Sequence, residues 1–271
     1  MYEFRVLEGI HLLDLAECFN AAFSDYEQPI HFTEDSFKYY LTASAVDLSL
    51  SFGAFYEGQP VAFILNSGGI YNEEAVVFDA GTGVVPEHRG KKVFSGLFDY
   101  TAQQLQNRGI KKYYLEVLQA NHHASAIYSK KGFSILREYT VLATKGPRGA
   151  CDPAVSIVSY EEFTAFPTRF LVSPSFEHSP YTVNKNPQLY EVRYLPDRAY
   201  CIYAKKNGAI IQMHYNDLQA LREIAISLTE QYPAVFVKNI DCRCGDVIKM
   251  LEDIGFKEVT KQYEMARNMD S

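Results

Sequence analysis

Two stretches of this chain follow the same plan, 123 residues apart. In each, an apolar-periodic helix is closed by a Gly-Phe pair, Gly132-Phe133 and then Gly255-Phe256, and a strand follows. The same shift places the helical pattern of 94–108 on that of 217–231. A plan that recurs at a fixed spacing indicates a duplicated unit that has diverged. We therefore predict an α/β (α+β) fold made of two units, 1–145 and 150–271, joined by a Gly- and Pro-containing linker.

Charge and hydropathy restrict the partners of such a chain. Its 271 residues include 26 basic and 33 acidic side chains, and the resulting net charge of -7 argues against nucleic acid as a partner. Every apolar run is interrupted before the roughly 18 residues that a membrane span requires. We expect a cytoplasmic protein with no membrane association. The oligomeric state is open, and a homodimer is compatible with the sequence.

The cysteines indicate neither disulfides nor a metal. There are five, an odd number, in a chain long enough to fold without covalent staples. Cys242 and Cys244 are close in sequence, but no second Cys or His pair at ligand spacing accompanies them, and a structural zinc site requires four ligands. We therefore predict no metal site.

Apolar periodicity, caps and turn residues predict the elements of the first unit. Thr33 and Asn121 are the expected N-caps of two helices; Gly132 is expected to end the helix that Asn121 begins, and Gly109 the helix 94–108. The predicted strands are 2–6, 50–56, 61–66, 75–85, 111–118 and 135–143, and the predicted helices are 10–23, one beginning after Thr33, 94–108 and 121–130.

A basic turn lies between a strand and a helix at Val84-Val85-Pro86-Glu87-His88-Arg89-Gly90-Lys91-Lys92-Val93-Phe94. Unpaired N–H groups and the positive end of the helix dipole attract anions at a helix start, and the three cationic side chains add to this. The alternative is a solvated surface turn. Gly81 and Gly83 favour ligand binding, because glycine inside a strand often marks a bulge or the close approach of a ligand.

A second segment, Asn121 to Phe133, follows about 30 residues later and contains Asn121, Ala124, Tyr128 and Gly132-Phe133. Together the two segments resemble motifs A and B of the GNAT acyltransferase superfamily, and the likeness covers residues 1 to about 145. It implies a mixed, mostly antiparallel central sheet flanked by helices, with acetyl-coenzyme A bound as co-substrate in a cleft between the strands that end near Val85 and Val117. The second unit is expected to be GNAT-like as well, but degenerate.

The resemblance also implies roles for individual residues. Val84 and Val85 are expected to pair with the pantetheine arm, and the amide of Val85 to polarise the thioester carbonyl. The amides from Arg89 through Gly90, Lys91, Lys92 and Val93 to Phe94 are expected to hold the pyrophosphate. Asn121 would hold the arm from the other wall, and Tyr128 would protonate the leaving thiolate. The alternatives are a plain N-cap for Asn121 and a packing role for Tyr128.

The sequence departs from the superfamily pattern at two positions. Lys92 and Phe94 stand where a glycine and a small residue are usual, so the turn loses backbone freedom and gains a bulky ring. This raises the question of whether coenzyme affinity is retained.

The base that takes the proton of the amine has two candidates. Asp79 shares strand parity with Val85 if no bulge separates them, and Glu116 lies on the next strand near the predicted cleft. Each could instead form a structural hydrogen bond or ion pair.

The leading hypothesis is an N-acetyltransferase acting on the primary amine of a small molecule or peptide by direct attack. The alternative is a non-catalytic acyl-coenzyme A binding or interaction protein with the same fold. A third reading, an aminoacyl-transferase acting on transfer RNA, is disfavoured by the acidic charge. At the 123-residue shift Asn121 becomes Cys244 and Tyr128 becomes Leu251, so only the first unit is expected to bind coenzyme.

The acceptor is expected to enter over the first two helices. Acidic and aromatic residues alternate there and would suit a cationic amine. They are Asp25, Glu27, Glu34 and Asp35, with Tyr26, Phe32, Tyr39 and Tyr40.

Overall fold

A computed structural model describes residues 1–25, 31–71, 73–149, 154–168 and 173–269. The chain forms two compact units. Unit 1 comprises Met1–Leu115 together with Ala266–Ser271, and unit 2 comprises Glu116–Met265. Within the described ranges no helix is both long and apolar enough to cross a bilayer.

Unit 1 is built on strands β1 to β5, which lie in sequence order in its sheet. All neighbouring pairs are antiparallel except β4 and β5, which are parallel. Its elements, in which β5 continues into unit 2, are β1 (Glu3–Val6), α1 (Leu12–Ala22), α2 (Glu34–Ala43), β2 (Phe52–Tyr56), β3 (Gln59–Tyr71), β4 (Glu74–Val84), α3 (Val93–Asn107) and β5 (Lys112–Leu118). Each was predicted from the sequence, with ends that differ by a few residues.

The core of unit 1 lies between the first two helices and β3. Thr33 caps α2 by accepting a hydrogen bond from the Ser36 amide, as the sequence predicts. The ring of Phe19 on α1 stacks on Phe63 of β3 with centroids 5.1 Å apart, and Phe37 of α2 is fully buried beside them. Aromatic packing therefore fixes α1 and α2 on one face of the sheet.

Unit 2 has a sheet of strand order β12-β6-β11-β10-β9-β8-β7. Its core is formed by α6 and α7 packed on these strands, with Ile224, Leu228, Val247 and Leu251 almost fully buried. The elements are α4 (His122–Lys130), β6 (Ser134–Lys145), β7 (Ser156–Ser159), α5 (Pro180–Lys185), β8 (Tyr190–Leu195), β9 (Ala199–Ala204), β10 (Ile210–Tyr215), α6 (Leu218–Gln231), β11 (Ala234–Asp241), α7 (Gly245–Asp253) and β12 (Lys257–Asn268). The predicted mixed, mostly antiparallel α/β fold is confirmed.

The division into compact units does not follow the predicted boundary between 145 and 150. Strand β6 pairs with β11 over Tyr139–Lys145, within unit 2. The end of β12 instead belongs to unit 1, where the Met269 amide donates to the Lys111 carbonyl at 2.9 Å. All of β6 therefore belongs to unit 2, and the last three residues of β12 belong to unit 1. Sequence periodicity does not report such long-range pairing.

Candidate active site

Strand β4 contains a bulge at Ala80. The register with β3 pairs Asn66 with Asp79 and Leu65 with Gly81, which leaves Ala80 as the extra residue. The Asp79 carboxylate accepts hydrogen bonds from the Gly81 amide at 3.0 Å and the Thr82 hydroxyl at 2.7 Å. The Tyr40 hydroxyl of α2 donates to the Ala80 carbonyl at 2.6 Å. Side chains from two elements thus hold the bulge in place.

The bulge removes the premise on which Asp79 was predicted as a base. Strand parity with Val85 required an uninterrupted strand, and one extra residue reverses the face on which every later side chain lies. The carboxylate of Asp79 instead supports the local bend of β4.

Beyond the bulge, one edge of β4 is open. Parallel pairing with β5 joins Val76–Asp79 to Lys112–Leu115 and extends no further among the described residues. The Val85 amide donates to Val61 of β3 at 2.9 Å, so the backbone groups of Val84 face the opposite side. In this structure the Val85 amide is bonded to β3, and the Val84 amide lies on the open edge of β4.

The turn after β4 retains the conformation of a glycine-bearing turn. Gly90 has φ 73°, and Lys92 has φ 60°, in the left-handed region. A non-glycine residue pays about 1 kcal/mol for this conformation. Lys92 stands where the superfamily pattern has a glycine, and it adopts the left-handed conformation directly before α3 begins at Val93.

The start of α3 is suited to an anion. Lys92 is its N-cap residue and makes no side-chain capping bond, and no acidic residue occupies the first turn. Lys91 and Lys92 are exposed, and within the described part of the chain neither has an ion-pair partner. Phe94 is half-buried, with its ring centroid 5.8 Å from that of Phe98 in the core. The bulky ring therefore packs on its own helix.

Arg89 differs from the two lysines. Its guanidinium group hydrogen-bonds both oxygens of Asp25, at 2.5 and 3.0 Å, as well as two backbone carbonyls. The sequence predicted Asp25 as part of an acidic surface for the acceptor and Arg89 as a cation beside the pyrophosphate. No sequence signal relates the two, since 64 residues separate them. Tyr26 and Glu27, also predicted on that surface, lie outside the described residues.

Asn121 and Tyr128 lie on α4 in unit 2. The Asn121 side chain accepts a hydrogen bond from the Ala124 amide at 3.0 Å, as an N-cap does. Tyr128 is half-buried, and its ring meets Phe133 edge-on with centroids 5.6 Å apart. The capping role of Asn121 is confirmed, and the aromatic contact fixes the Tyr128 ring from one side.

Glu116 belongs to a buried polar cluster of unit 2. Asn239 and Gln262 donate to its Oε2 atom at 2.7 and 3.1 Å. Its Oε1 atom is buried without a hydrogen-bond partner among the residues described. Burial, together with the negative charges of Glu177 and Glu264, raises the pKa of Glu116 to about 8, against a smaller opposing effect of hydrogen bonds. The group is therefore mostly protonated at neutral pH.

The strand-to-helix connection of unit 2 is built differently. Here β10 passes into α6 through Asn216 and Asp217 alone. The Asp217 carboxylate caps α6 by accepting from the amides of Gln219 and Ala220 at 2.9 and 3.4 Å. The described residues contain no group of three side chains placed to hold a metal ion.

In this α/β domain an open strand edge is followed by a basic turn and a helix start without a side-chain cap. Residues 12–133 match the profile of the Acetyltransferase (GNAT) family, described as acetyltransferases. No curated protein matches the sequence significantly.

Solved structures share the fold at low sequence identity. A candidate acetyltransferase from Pyrococcus horikoshii gives a TM-score of 0.69 at 12% identity, covering 99% of this chain and 89% of that one. A GCN5-related N-acetyltransferase from Sphaerobacter thermophilus gives 0.67 at 14% identity, covering 99% and 96%. A protein of unknown function from Enterococcus faecalis, described as a probable N-acyltransferase, gives 0.61 at 14%, covering 100% and 73%. These similarities establish the fold.

Proposed function

We propose that the protein is an N-acetyltransferase that moves the acetyl group of acetyl-coenzyme A to a primary amine of a small molecule or peptide. The observation that carries the proposal is the open edge of β4 followed directly by the basic turn and the uncapped start of α3. An extended arm can add to such an edge through backbone hydrogen bonds, and a pyrophosphate suits such a helix start.

In this proposal the phosphates bind the amides and cationic side chains of the turn, from Gly90 to Phe94. The Val84 amide, on the open edge, is placed to donate to the thioester oxygen as negative charge develops there. It takes over the role that the sequence suggested for Val85. The resemblance further assigns Asn121 to the pantetheine arm.

The transfer step is a direct displacement. The amine nitrogen attacks the thioester carbonyl carbon, a C–N bond forms, and the C–S bond breaks. The leaving thiolate takes a proton from the Tyr128 hydroxyl, because a phenol within hydrogen-bond reach is a competent acid toward a thiolate. The amine loses its proton to a base, for which Asp79 and Glu116 remain the predictions from the sequence.

We also infer that the chain arose by duplication and contains a single coenzyme site. Helices α4 and α7 and strands β6 and β12 recur at the 123-residue spacing with the same lengths. Equivalent hydrogen bonds recur as well: Gly146 donates to Pro233 in unit 2, and Met269 donates to Lys111 in unit 1. The Asp217 cap at α6 argues against an anion at the second helix start, since a carboxylate already occupies it.

The test is acetyl transfer by the full-length protein. Acetyl-coenzyme A is incubated with a panel of small amines and of peptides with a free N-terminus, and both thiol release and the mass of each acceptor are measured. Thiol release with gain of one acetyl group on an amine supports the proposal. Coenzyme binding without release on any amine would favour the non-catalytic alternative, and absence of binding would contradict both.

A further inference from the structure

Arg89 makes an unusually complete set of hydrogen bonds for a half-exposed side chain. Its Nε atom donates to the Val84 carbonyl at 3.0 Å, and its Nη2 atom donates to the Ala22 carbonyl at 2.7 Å. Its two terminal nitrogens also contact both carboxylate oxygens of Asp25. Four of the five guanidinium N–H donors are thus directed at protein oxygens. Arg89 therefore joins two separate elements of unit 1.

The two carbonyls belong to chain positions that need a partner. Ala22 is the last residue of α1, and carbonyls in the last turn of a helix lack intrahelical partners. The last turn of α1 contains no basic residue of its own, so Arg89 supplies the cation that favours the negative end of the helix dipole. Val84 lies on the open edge of β4. One side chain thus fixes the end of α1 against that edge.

The electrostatics argue against Arg89 as a phosphate ligand. Its charge is already matched by the Asp25 carboxylate, and the hydrogen bond from Arg89 lowers the pKa of Asp25 below its ordinary value. A phosphate that recruited Arg89 would have to displace this bidentate contact and would meet the Asp25 charge. Lys91 and Lys92 have no ion-pair partner in the described part of the chain.

We propose that Arg89 is a positioning residue that holds the C-terminal end of α1 against the open edge of β4, and that Asp25 is its partner in this clamp. Phosphate binding is left to Lys91, Lys92 and the amides of the turn. The proposal rests on the proposed function in one respect, namely that the acceptor approaches over α1 and α2. Loss of the clamp then misplaces the acceptor relative to the thioester and leaves the phosphate contacts intact.

The kinetic test compares Arg89→Ala, Asp25→Asn, the double variant and Lys91→Ala as the matched cation control. ADP, which has the pyrophosphate without the pantetheine arm, is the binding probe. Arg89→Ala and Asp25→Asn should each lower kcat/KM for the amine by roughly 10- to 100-fold, with the double variant no worse than either. Both should leave the Kd of ADP unchanged, whereas Lys91→Ala should raise it.

A rise in the Kd of ADP for Arg89→Ala, with unchanged or tighter binding in Asp25→Asn, would identify Arg89 as a phosphate ligand and overturn the proposal. Additive losses in the double variant would overturn it too. If the wild-type protein transfers no acetyl group, the proposed function fails and the clamp is judged by hydrogen exchange. Amides at the end of α1 should then exchange faster, and equally so, in both single variants, and unchanged exchange would refute the clamp.

Discussion

In both units the strand that leads into the helix is irregular directly after a parallel pair, but the connection from strand to helix differs in length and charge. Strand β4 has its bulge at Ala80, immediately after the last parallel pair of Asp79 with Leu115. Strand β10 has an irregularity between Ile210 and Gln212, immediately after its parallel pair with Val237. In unit 1 the chain then forms the turn 85–92, and in unit 2 it needs only Asn216 and Asp217. The irregular strand is common to both units, and the long basic turn occurs only in unit 1.

The residue at the helix start makes the largest electrostatic difference. Lys92 places a cation at α3 and leaves the helix without a side-chain cap, whereas Asp217 places a carboxylate at α6 that two amides already bind. Arg198 in turn donates to Asp217 at 3.0 Å. At α6 the amides that an anion would need are already bound by the capping carboxylate, and at α3 no side chain caps the helix.

The region beside β10 is also covered by the unit's own chain. The Gln212 side chain donates to the His178 carbonyl, Asn239 donates to the Ser175 hydroxyl at 3.3 Å, and Phe176 is fully buried. Segment 175–178 thus contacts side chains of both β10 and β11 within unit 2.

The largest difference between the halves is expected at Tyr128, which corresponds to Leu251 at the 123-residue spacing. Tyr128→Phe removes only the hydroxyl, so it should lower kcat by roughly 100- to 10,000-fold with little change in the Kd of acetyl-coenzyme A. Pre-steady-state kinetics and calorimetry would check this. Leu251→Ala, in the core of unit 2, serves as a control for general destabilisation. Unchanged turnover of Tyr128→Phe, under conditions in which the chemical step limits the rate, would show that Tyr128 only packs.

Lys92→Asp replaces the cation at the start of α3 with a carboxylate, the charge that α6 has at Asp217. The new carboxylate should repel phosphate, weakening coenzyme binding about 100-fold, as the loss of two charge-assisted contacts of about 1.5 kcal/mol would require. Lys92→Gly is the matched control. It relieves the left-handed strain and should stabilise the fold by up to about 1 kcal/mol while losing only the contribution of one charge. Equal coenzyme affinity in wild type and Lys92→Asp would show that the charge at this position is irrelevant.

The pH dependence of stability tests the buried cluster that contains Glu116. Its counterpart at the 123-residue spacing is Asn239. The folded-state pKa of about 8 lies above the ordinary 4.5, so the folded protein holds the proton more tightly than the unfolded chain. This contribution to stability is complete below about pH 4.5 and is lost as pH rises through 8. Glu116→Gln mimics the protonated form, and its urea midpoint should exceed that of wild type increasingly from pH 5 to pH 8.

The same variant separates the two interpretations of Glu116. A parallel pH dependence of stability in wild type and Glu116→Gln would contradict the linkage. A large loss of acetyl transfer in a variant that remains folded would instead identify Glu116 as the base.

The smallest effect is expected at the cap of α6. Asp217→Ala should cost about 1 kcal/mol of stability through loss of the N-cap, measured as a shift in the urea midpoint. Coenzyme affinity and turnover should not change, because the unit 2 connection is proposed to bind no coenzyme. A changed Kd for coenzyme A would connect this helix start to binding and weaken the comparison.

The parts of the fold that the sequence predicts are those coded locally. The helix starts at Thr33 and Asn121 follow from capping chemistry within three residues, and the strands of unit 1 follow from apolar runs and turn residues. The same holds for the basic turn and its helix. These elements are confirmed because each depends on neighbours in sequence.

The remaining features depend on contacts between distant positions. The bulge at Ala80 arises from the pairing of β4 with β3. Because of it, the backbone groups of Val84 rather than those of Val85 face the open edge. The partner of Arg89 lies at the end of α1, and the pairing of β6 with β11 joins the two sequence segments. None of these has a signature in spacing or composition, since backbone register and a guanidinium partner are set by tertiary structure.

The central claim, that coenzyme binds only at the α3 turn, is tested most directly by the stoichiometry of coenzyme A binding to the full-length protein. Isothermal titration calorimetry should give one site per chain in the wild type, and Lys92→Asp should reduce that binding to a low-affinity remnant. Two sites per chain, or one site whose affinity is unaffected by Lys92→Asp, would contradict the account.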